Sequence, residues 1–256
     1  MSIFLILAFL FTVGSFLGWC LELVFRRITS KKFVNPGFLS GPWLPIYGFS
    51  LCVLYLLTLT ESHIPIENKI LQKIILFIIM AIVITCIEYI AGLIFIKKMK
   101  VKLWDYSENR GNIQGIICPT FSFFWLLLSA IYYFLIHPHI LDMLQWLSNN
   151  LAFSFCIGFY FGIFTIDLIN SFQVVFHIKK FAEEKQIVLR LEEFKSDVIE
   201  SKKKRGEKIK FMLSYHSNVP LKESLEQYKK NRENLRKNST KQNKKKQKIN
   251  KTKWGV

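Results

Sequence analysis

Glu22 and Glu88 each close a Cys-x-Glu triplet inside a long apolar run, Cys20-x-Glu22 and Cys86-x-Glu88, and a third acid, Asp167, lies in the last such run. A charge moved to the centre of a bilayer costs from about 2.5 to over 10 kcal/mol depending on how it is measured, so such groups face the interior of a helix bundle or a wet cavity. Gathered in one place, the three acids could bind a cation or pass protons. A positively charged substrate or a coupling ion would suit them. The structural alternative gives each acid the unsatisfied first-turn amides of a neighbouring helix, where the helix dipole also favours negative charge.

After each Cys-x-Glu comes a basic turn and then an Asn/Gly-rich loop that a proline closes. The first loop is NPGFLSGP (Asn35 to Pro42) and the second WDYSENRGNIQGIICP (Trp104 to Pro119). Asn35 and Asn112 each stand seven residues before the closing proline. Gly37, Gly41, Gly111 and Gly115 permit positive φ or close backbone approach, and Pro42 and Pro45 fit the first turn of a helix. Asn35, Asn109 and Asn112 offer donors and acceptors, while Asp105, Tyr106 and Arg110 could form a solvated ion-pair network. Such loops are either well-made turns, binding sites for an anionic group at helix N-termini, or docking surfaces for a cytoplasmic partner. The candidate substrate- or ion-binding residues are therefore Glu22, Glu88, Asp167, Asn35, Asp105, Asn109, Arg110 and Asn112.

The elements that must position these groups follow from composition. The 256 residues are 51% hydrophobic and carry a net charge of +17, but the two properties are segregated. Residues 177–256 hold 24 Lys/Arg and 10 Asp/Glu, a net +14. Residues 1–176 read as a transmembrane domain. Apolar runs of about 18 residues or more can cross a hydrocarbon core roughly 30 Å thick, and five are found, near residues 3–25, 43–59, 70–96, 115–136 and 151–176. Only helices and closed barrels satisfy the backbone in lipid, and these runs lack the alternation of barrel strands. An all-α, polytopic membrane helix bundle is expected.

The first run lacks a charged leading region, so it is expected to remain as a helix rather than be removed as a signal peptide. Arg26, Arg27, Lys31 and Lys32 follow the first run, and Lys97, Lys98, Lys100, Lys102 and Arg110 follow the third, while the intervening loops are poor in Lys and Arg. The positive-inside rule then puts the N-terminus out, the C-terminus in, and both loops on the cytoplasmic side. Trp43 and Trp104 fall where an inner aromatic belt would be, and Trp146 where an outer one would be.

Residues 177–237 are expected to be a cytoplasmic juxtamembrane helical region, with Ile187, Leu191, Phe194, Val198 and Ile199 forming one apolar stripe near helical spacing. Residues 238–256, rich in Lys, are expected to be disordered. Anionic inner-leaflet lipid is the partner this basic region suggests. No aromatic interleaving or nucleic-acid fold is visible, which argues against nucleic acid. The five cysteines fall one per apolar run and read as packing residues.

A membrane-embedded enzyme would need a nucleophile with a base, or a metal cluster. The available groups are Asp105 with Asn109 and Asn112, or the His137-Pro138-His139 pair in an expected outer loop, which lacks a third metal ligand. No cofactor and no metal are implied, and an enzyme is the lesser reading. A membrane scaffold that recruits cytoplasmic partners through its loops and tail is a further alternative.

The run NPGFLSGPWLPIYGF (Asn35 to Phe49), with Glu22 before it and WDYSENRGNIQGIIC (Trp104 to Cys118) after Glu88, resembles the putative type IV ABC-transporter membrane protein family of small bacterial integral membrane proteins. The likeness covers roughly residues 5 to 130. Where the family commonly has an Arg after the first Asn, this chain has Pro36. The resemblance implies a multi-pass protein of the bacterial cell membrane, the permease component of a transporter. The chain holds no G-x-x-x-x-G-K-[ST] phosphate loop, so an ATPase would be a separate subunit. Five helices are few for enclosing a translocation path, which favours a homo-oligomer or a larger complex.

Overall fold

The computed structural model describes residues 1–29, 34–207 and 219–253. Lys31 and Lys32, residues 208–218 of the juxtamembrane region and the last three residues lie outside it. The chain forms two compact units, 1–192 and 193–256. The fold is all-α, with one two-residue parallel strand pair among the described residues.

The first unit contains α1 (Ile3–Thr29), α2 (Pro45–Thr58), α3 (Lys69–Met99), α4 (Pro119–Ile131), α5 (His137–Asn149) and α6 (Ser154–Glu184). A π-helical turn, Tyr132–Ile136, joins α4 to α5. Among the described residues, four stretches are long and apolar enough to cross a membrane: Ile3–Ile28, Lys69–Met99, Pro119–Asn149 and Leu151–Glu184. Their outward surfaces carry large apolar side chains, among them Phe155 at 77% exposure and Phe159 at 64%. Lipid tails are as apolar as these side chains, so nothing drives such surfaces inward in a bilayer.

Several boundaries depart from the sequence reading. The run expected over 43–59 yields a helix of 14 residues, about 21 Å long at 1.5 Å per residue and shorter than the hydrocarbon core. Its start is delayed because residues 35–44 are held as a loop. Asn35 Nδ2 donates to the carbonyls of Leu39 and Ser40, and the Leu44 amide donates to the Ser15 carbonyl of α1 at 3.0 Å. Pro45 then occupies the first turn of α2, where its missing N–H has no intrahelical partner to lose.

The fourth run begins at Pro119, not 115, and continues helically through His137-Pro138-His139, where an outer loop was expected. Pro138 falls in the first turn of α5, just after the π-helical turn, so the change in winding lies immediately before the residue that cannot donate a backbone hydrogen bond. The helix α6 likewise continues past residue 176 to Glu184. Trp43, expected in an interfacial belt, is buried at 9% exposure because its indole N–H is held by Asp167.

The first four helices form two hairpins, α1 with α2 and α3 with α4, and α6 lies against α1 and α3. Close approach within the first hairpin depends on Gly14 and Gly18 of α1, one turn apart. A Cβ on Gly18 would meet the Tyr47 ring at 2.2 Å, so Tyr47 lies directly over backbone. After α6, the positive φ of Gln186 turns the chain into β2 (Leu189–Arg190), which pairs in parallel with β1 (Val101–Lys102).

The second unit is built from α7 (Leu191–Lys204), which begins in the first unit, and α8 (Leu221–Lys253). Phe194 and Val198 of α7 and Leu225 and Tyr228 of α8 are buried, with the Phe194 and Tyr228 rings edge to face at 5.9 Å. Arg232 pairs with Glu193 and sits over the Tyr228 ring at 5.5 Å. Two expectations fail here. Ile187 precedes α7 and is not on its stripe, because the turn and β2 intervene. The helix α8 runs through the Lys-rich stretch expected to be disordered, since Lys, Gln, Glu and Arg are good helix formers and no Gly or Pro occurs between 221 and 253.

Gly18→Ala is expected to lower stability by about 1 to 3 kcal/mol through overpacking against Tyr47. Gly158→Ala, where a Cβ meets nothing within 4 Å, is the matched control and should leave stability unchanged or slightly raised. Thermal unfolding of the two variants in one detergent measures the difference.

Candidate functional site

Both Cys-x-Glu carboxylates line one cavity of about 710 Å³ enclosed by the two hairpins, their loops and α6. On α1, Glu22 stands one turn beyond Gly18 and Gly18 one turn beyond Gly14, so the three share a face. Tyr47, seated on Gly18, donates from its hydroxyl to Glu22 Oε2 at 2.9 Å. On the same helix Arg26 Nε donates to Glu22 Oε1 at 2.8 Å, and its Nη1 pairs with Glu192 at 3.0 Å. Glu22 is thus held by one hydroxyl and one guanidinium.

Glu88 is held differently. It is 4% exposed, and accepts from Tyr106 Oη at 3.1 Å and from Trp125 Nε1 at 2.9 Å. Among the described residues no Lys or Arg pairs with it. Burial, and after it the charges of Glu88 and Glu22, push the Tyr106 phenol well above its ordinary value, so Tyr106 remains a donor. The Tyr106 ring stacks on Phe121 at 4.2 Å and 11°, and the rings of Tyr47 and Trp125 lie 5.8 Å apart. The two donors that reach from α2 and α4 therefore meet between the two acids.

Asp167 does not line this cavity. It accepts from the amides of Ser40 at 3.1 Å and Gly41 at 2.8 Å, from Trp43 Nε1 at 2.7 Å and from Ser171 Oγ at 3.1 Å. Four donors leave it a fastener for the first loop, close to the structural alternative in which neighbouring amides receive the acid. Asn35, 1% exposed, also accepts from Trp19 Nε1 at 2.8 Å, so it too holds that loop.

In the second loop Asn112 plays the corresponding part. Its Nδ2 donates to the carbonyls of Ser107 and Asn109, and its Oδ1 accepts from the Gly115 amide at 2.9 Å. Asn109 Nδ2 donates to Cys118 Sγ at 3.4 Å. Arg110 is exposed and does not join the Asp105 cluster as expected. Asp105 instead pairs with Lys102 at 2.6 Å and Arg190 at 2.7 Å, and accepts from the amide and hydroxyl of Ser107. Gly115, at φ +67°, leaves space for this cluster, since a Cβ there would lie 2.5 Å from Ser107 Oγ.

Of the eight candidates, the cavity gathers Glu22, Glu88 and Asp105, while Asp167 and the three asparagines shape the loops. Tyr47, Tyr106, Trp125, Arg26 and Glu192 were not singled out as site residues. Tyr47 and Trp125 had a signal, standing five and six residues after Pro42 and Pro119, each a donor in the helix that follows its loop. Glu192 had none, since it reaches the cavity only through the turn after α6. His137 packs by its Nδ1 against Tyr132 Oη at 3.0 Å. Among the described residues no three His, Cys, Asp or Glu side chains come together as a metal site.

An all-α bundle with four helices long and apolar enough to span a bilayer, enclosing a partly polar cavity, falls in the class of membrane proteins. The chain belongs to the family described as "Putative ABC-transporter type IV", whose model matches residues 9–172. The match reaches beyond the stretch that carried the resemblance, into α6. No curated protein and no solved structure matches the chain.

Burial raises the Asp105 pKa, but the Lys102 and Ser107 hydrogen bonds and the Lys102 charge outweigh it and hold this carboxyl below its ordinary value. A depressed folded pKa contributes stability above the unfolded value of about 4, and that stability is lost as pH falls through the lower folded value. Asp105→Asn is expected to cost about 1 kcal/mol at pH 7, and the gap should close towards pH 3. Thermal unfolding of both proteins across this range tests it; a gap equal at both ends would contradict the ion-pair account.

Proposed function

We propose that this protein is the membrane-embedded component of an ABC-type transport system and that the cavity between its two hairpins receives the cargo from the cytoplasmic side. The observation that carries the reading is the cavity itself. About 710 Å³ lies within the range of small-molecule sites, which are mostly apolar with a few placed polar groups, and it occurs in a chain of the ABC-transporter family. The orientation, with the N-terminus out and both loops in, rests on the distribution of Lys and Arg. Both loops line one cavity, which supports an outward return of the chain through α2 and the residues after it, and hence five crossings. ATP hydrolysis falls to a separate subunit.

Purification from native membranes in mild detergent should retain an ATPase subunit. Repeated recovery of the chain alone would count against the assignment. Glu22→Gln and Glu88→Gln should each abolish complementation of a deletion strain while leaving membrane abundance intact; loss of folded protein in both variants would make the two acids structural.

The basic region from residue 177 onward, net +14, supports contact with anionic inner-leaflet lipid, at about 1 kcal/mol per basic residue near the surface. A peptide of residues 238–256 should bind anionic vesicles in a salt-dependent way and ignore neutral ones. Equal binding to both would remove lipid as its partner.

A further inference from the structure

The cavity's charge and its walls specify a narrower class of occupant than a cargo in general. Among the described residues, the cavity's ionisable acids and bases are the carboxylates Glu22, Glu88, Asp105 and Glu192 and the base Arg26. Arg26 is already shared between Glu22 and Glu192, and Asp105 is held by Lys102 and Arg190. Glu88 alone of the four receives only neutral donors, a phenol and an indole. The indole can only donate, so the Glu88 oxygen facing it is an acceptor. A buried carboxylate with no partner of opposite sign is costly as the anion, and a proton or a cation at Glu88 removes that cost.

The walls favour the same sign. Fourteen of the 32 lining residues are Phe, Tyr or Trp, and an aromatic face attracts a cation within about 6 Å of its centroid, most strongly when the pair is desolvated. Tyr47, Tyr106, Phe121 and Trp125 surround the Glu88 end. A small hydrated metal ion would gain little from these walls, because hard cations take several oxygen ligands. A monovalent cation carrying an apolar or aromatic body would use both the acid and the rings. Five of the lining side chains, Leu21, Phe25, Phe49, Phe124 and Leu127, are exposed as well as apolar. An apolar body therefore meets accessible apolar side chains in this cavity.

We infer that the cavity is a binding site for lipophilic organic monocations, such as quaternary ammonium or phosphonium compounds, with Glu88 as the counter-charge and the Tyr47, Tyr106, Phe121 and Trp125 rings as the cage. This rests on the cavity being the cargo site, and it names the chemical class of that cargo.

Tetraphenylphosphonium and tetraphenylborate are nearly the same size and shape and opposite in sign, so together they separate charge recognition from apolar partition. The full chain in nanodiscs of zwitterionic lipid is titrated with each ion, against empty nanodiscs, by equilibrium dialysis. Saturable binding of the phosphonium is expected, with the borate binding at least tenfold more weakly. Glu88→Gln should weaken phosphonium binding about tenfold, equivalent to ~1.4 kcal/mol, and Glu88→Asp should restore part of it. Glu22→Gln should do less, since Arg26 keeps Glu192. Equal binding of the two ions, no saturable phosphonium binding, or a Glu88→Gln affinity within twofold of the unaltered protein would each overturn the inference. The comparison of ions on the unaltered chain stands even if a variant fails to fold. A chain that retains an ATPase subunit but does not bind the phosphonium refutes the cation assignment alone, whereas binding without an ATPase refutes the transport assignment alone.

Discussion

A carboxylate placed among apolar helices must be given donors by the protein, because no water is guaranteed there, and this requirement organises the first unit. Each of the three acids meets it in a different way. Asp167 takes backbone amides and an indole, Glu22 takes a guanidinium and a phenol, and Glu88 takes a phenol and an indole. The donors come from other segments, so satisfying the acids also decides which helices and loops lie together. Tyr47 shows the coupling most directly. Its ring can reach Glu22 only because Gly18 has no side chain to hold α2 away.

The two hairpins solve a similar problem with similar parts. Each carries its acid on the first helix, and each is met by an aromatic donor from the second helix, Tyr47 in one and Trp125 in the other. Each has an asparagine that ties loop carbonyls, Asn35 and Asn112. They differ where the charges lie. The first hairpin supplies its own cation in Arg26, and the second sends its nearby base, Lys102, to Asp105 instead. That asymmetry is why one acid of the cavity is paired and the other is not.

Much of this architecture was legible in the sequence. The long apolar runs, the Pro residues at helix starts and the paired Asn/Gly loops carry strong local signals. Glu22 and Glu88 were legible as a pair because their cost in lipid depends on residue type and depth alone. What was not legible depended on direction and reach. Asp167 resembles the other two acids in chain context, yet its side chain turns to the first loop and not to the cavity. The shortness of α2 follows from loop hydrogen bonds that residue types do not reveal, and the helical passage through His137-Pro138-His139 follows from a change in winding upstream. The Lys-rich end of α8 was read from its charge, while its lack of Gly and Pro proved the more telling property.

The two hydrogen bonds from the Ser40 and Gly41 amides to Asp167 join positions 127 and 126 residues apart. A membrane protein is made and inserted from its N-terminus, so the first hairpin enters the bilayer long before α6 exists. Until α6 arrives, two amides and the Trp43 indole lack the acceptor that holds them. The first loop is therefore synthesised before the segment that fixes it, and the contacts that hold it beside the cavity are long-range ones that cannot form with its own hairpin alone.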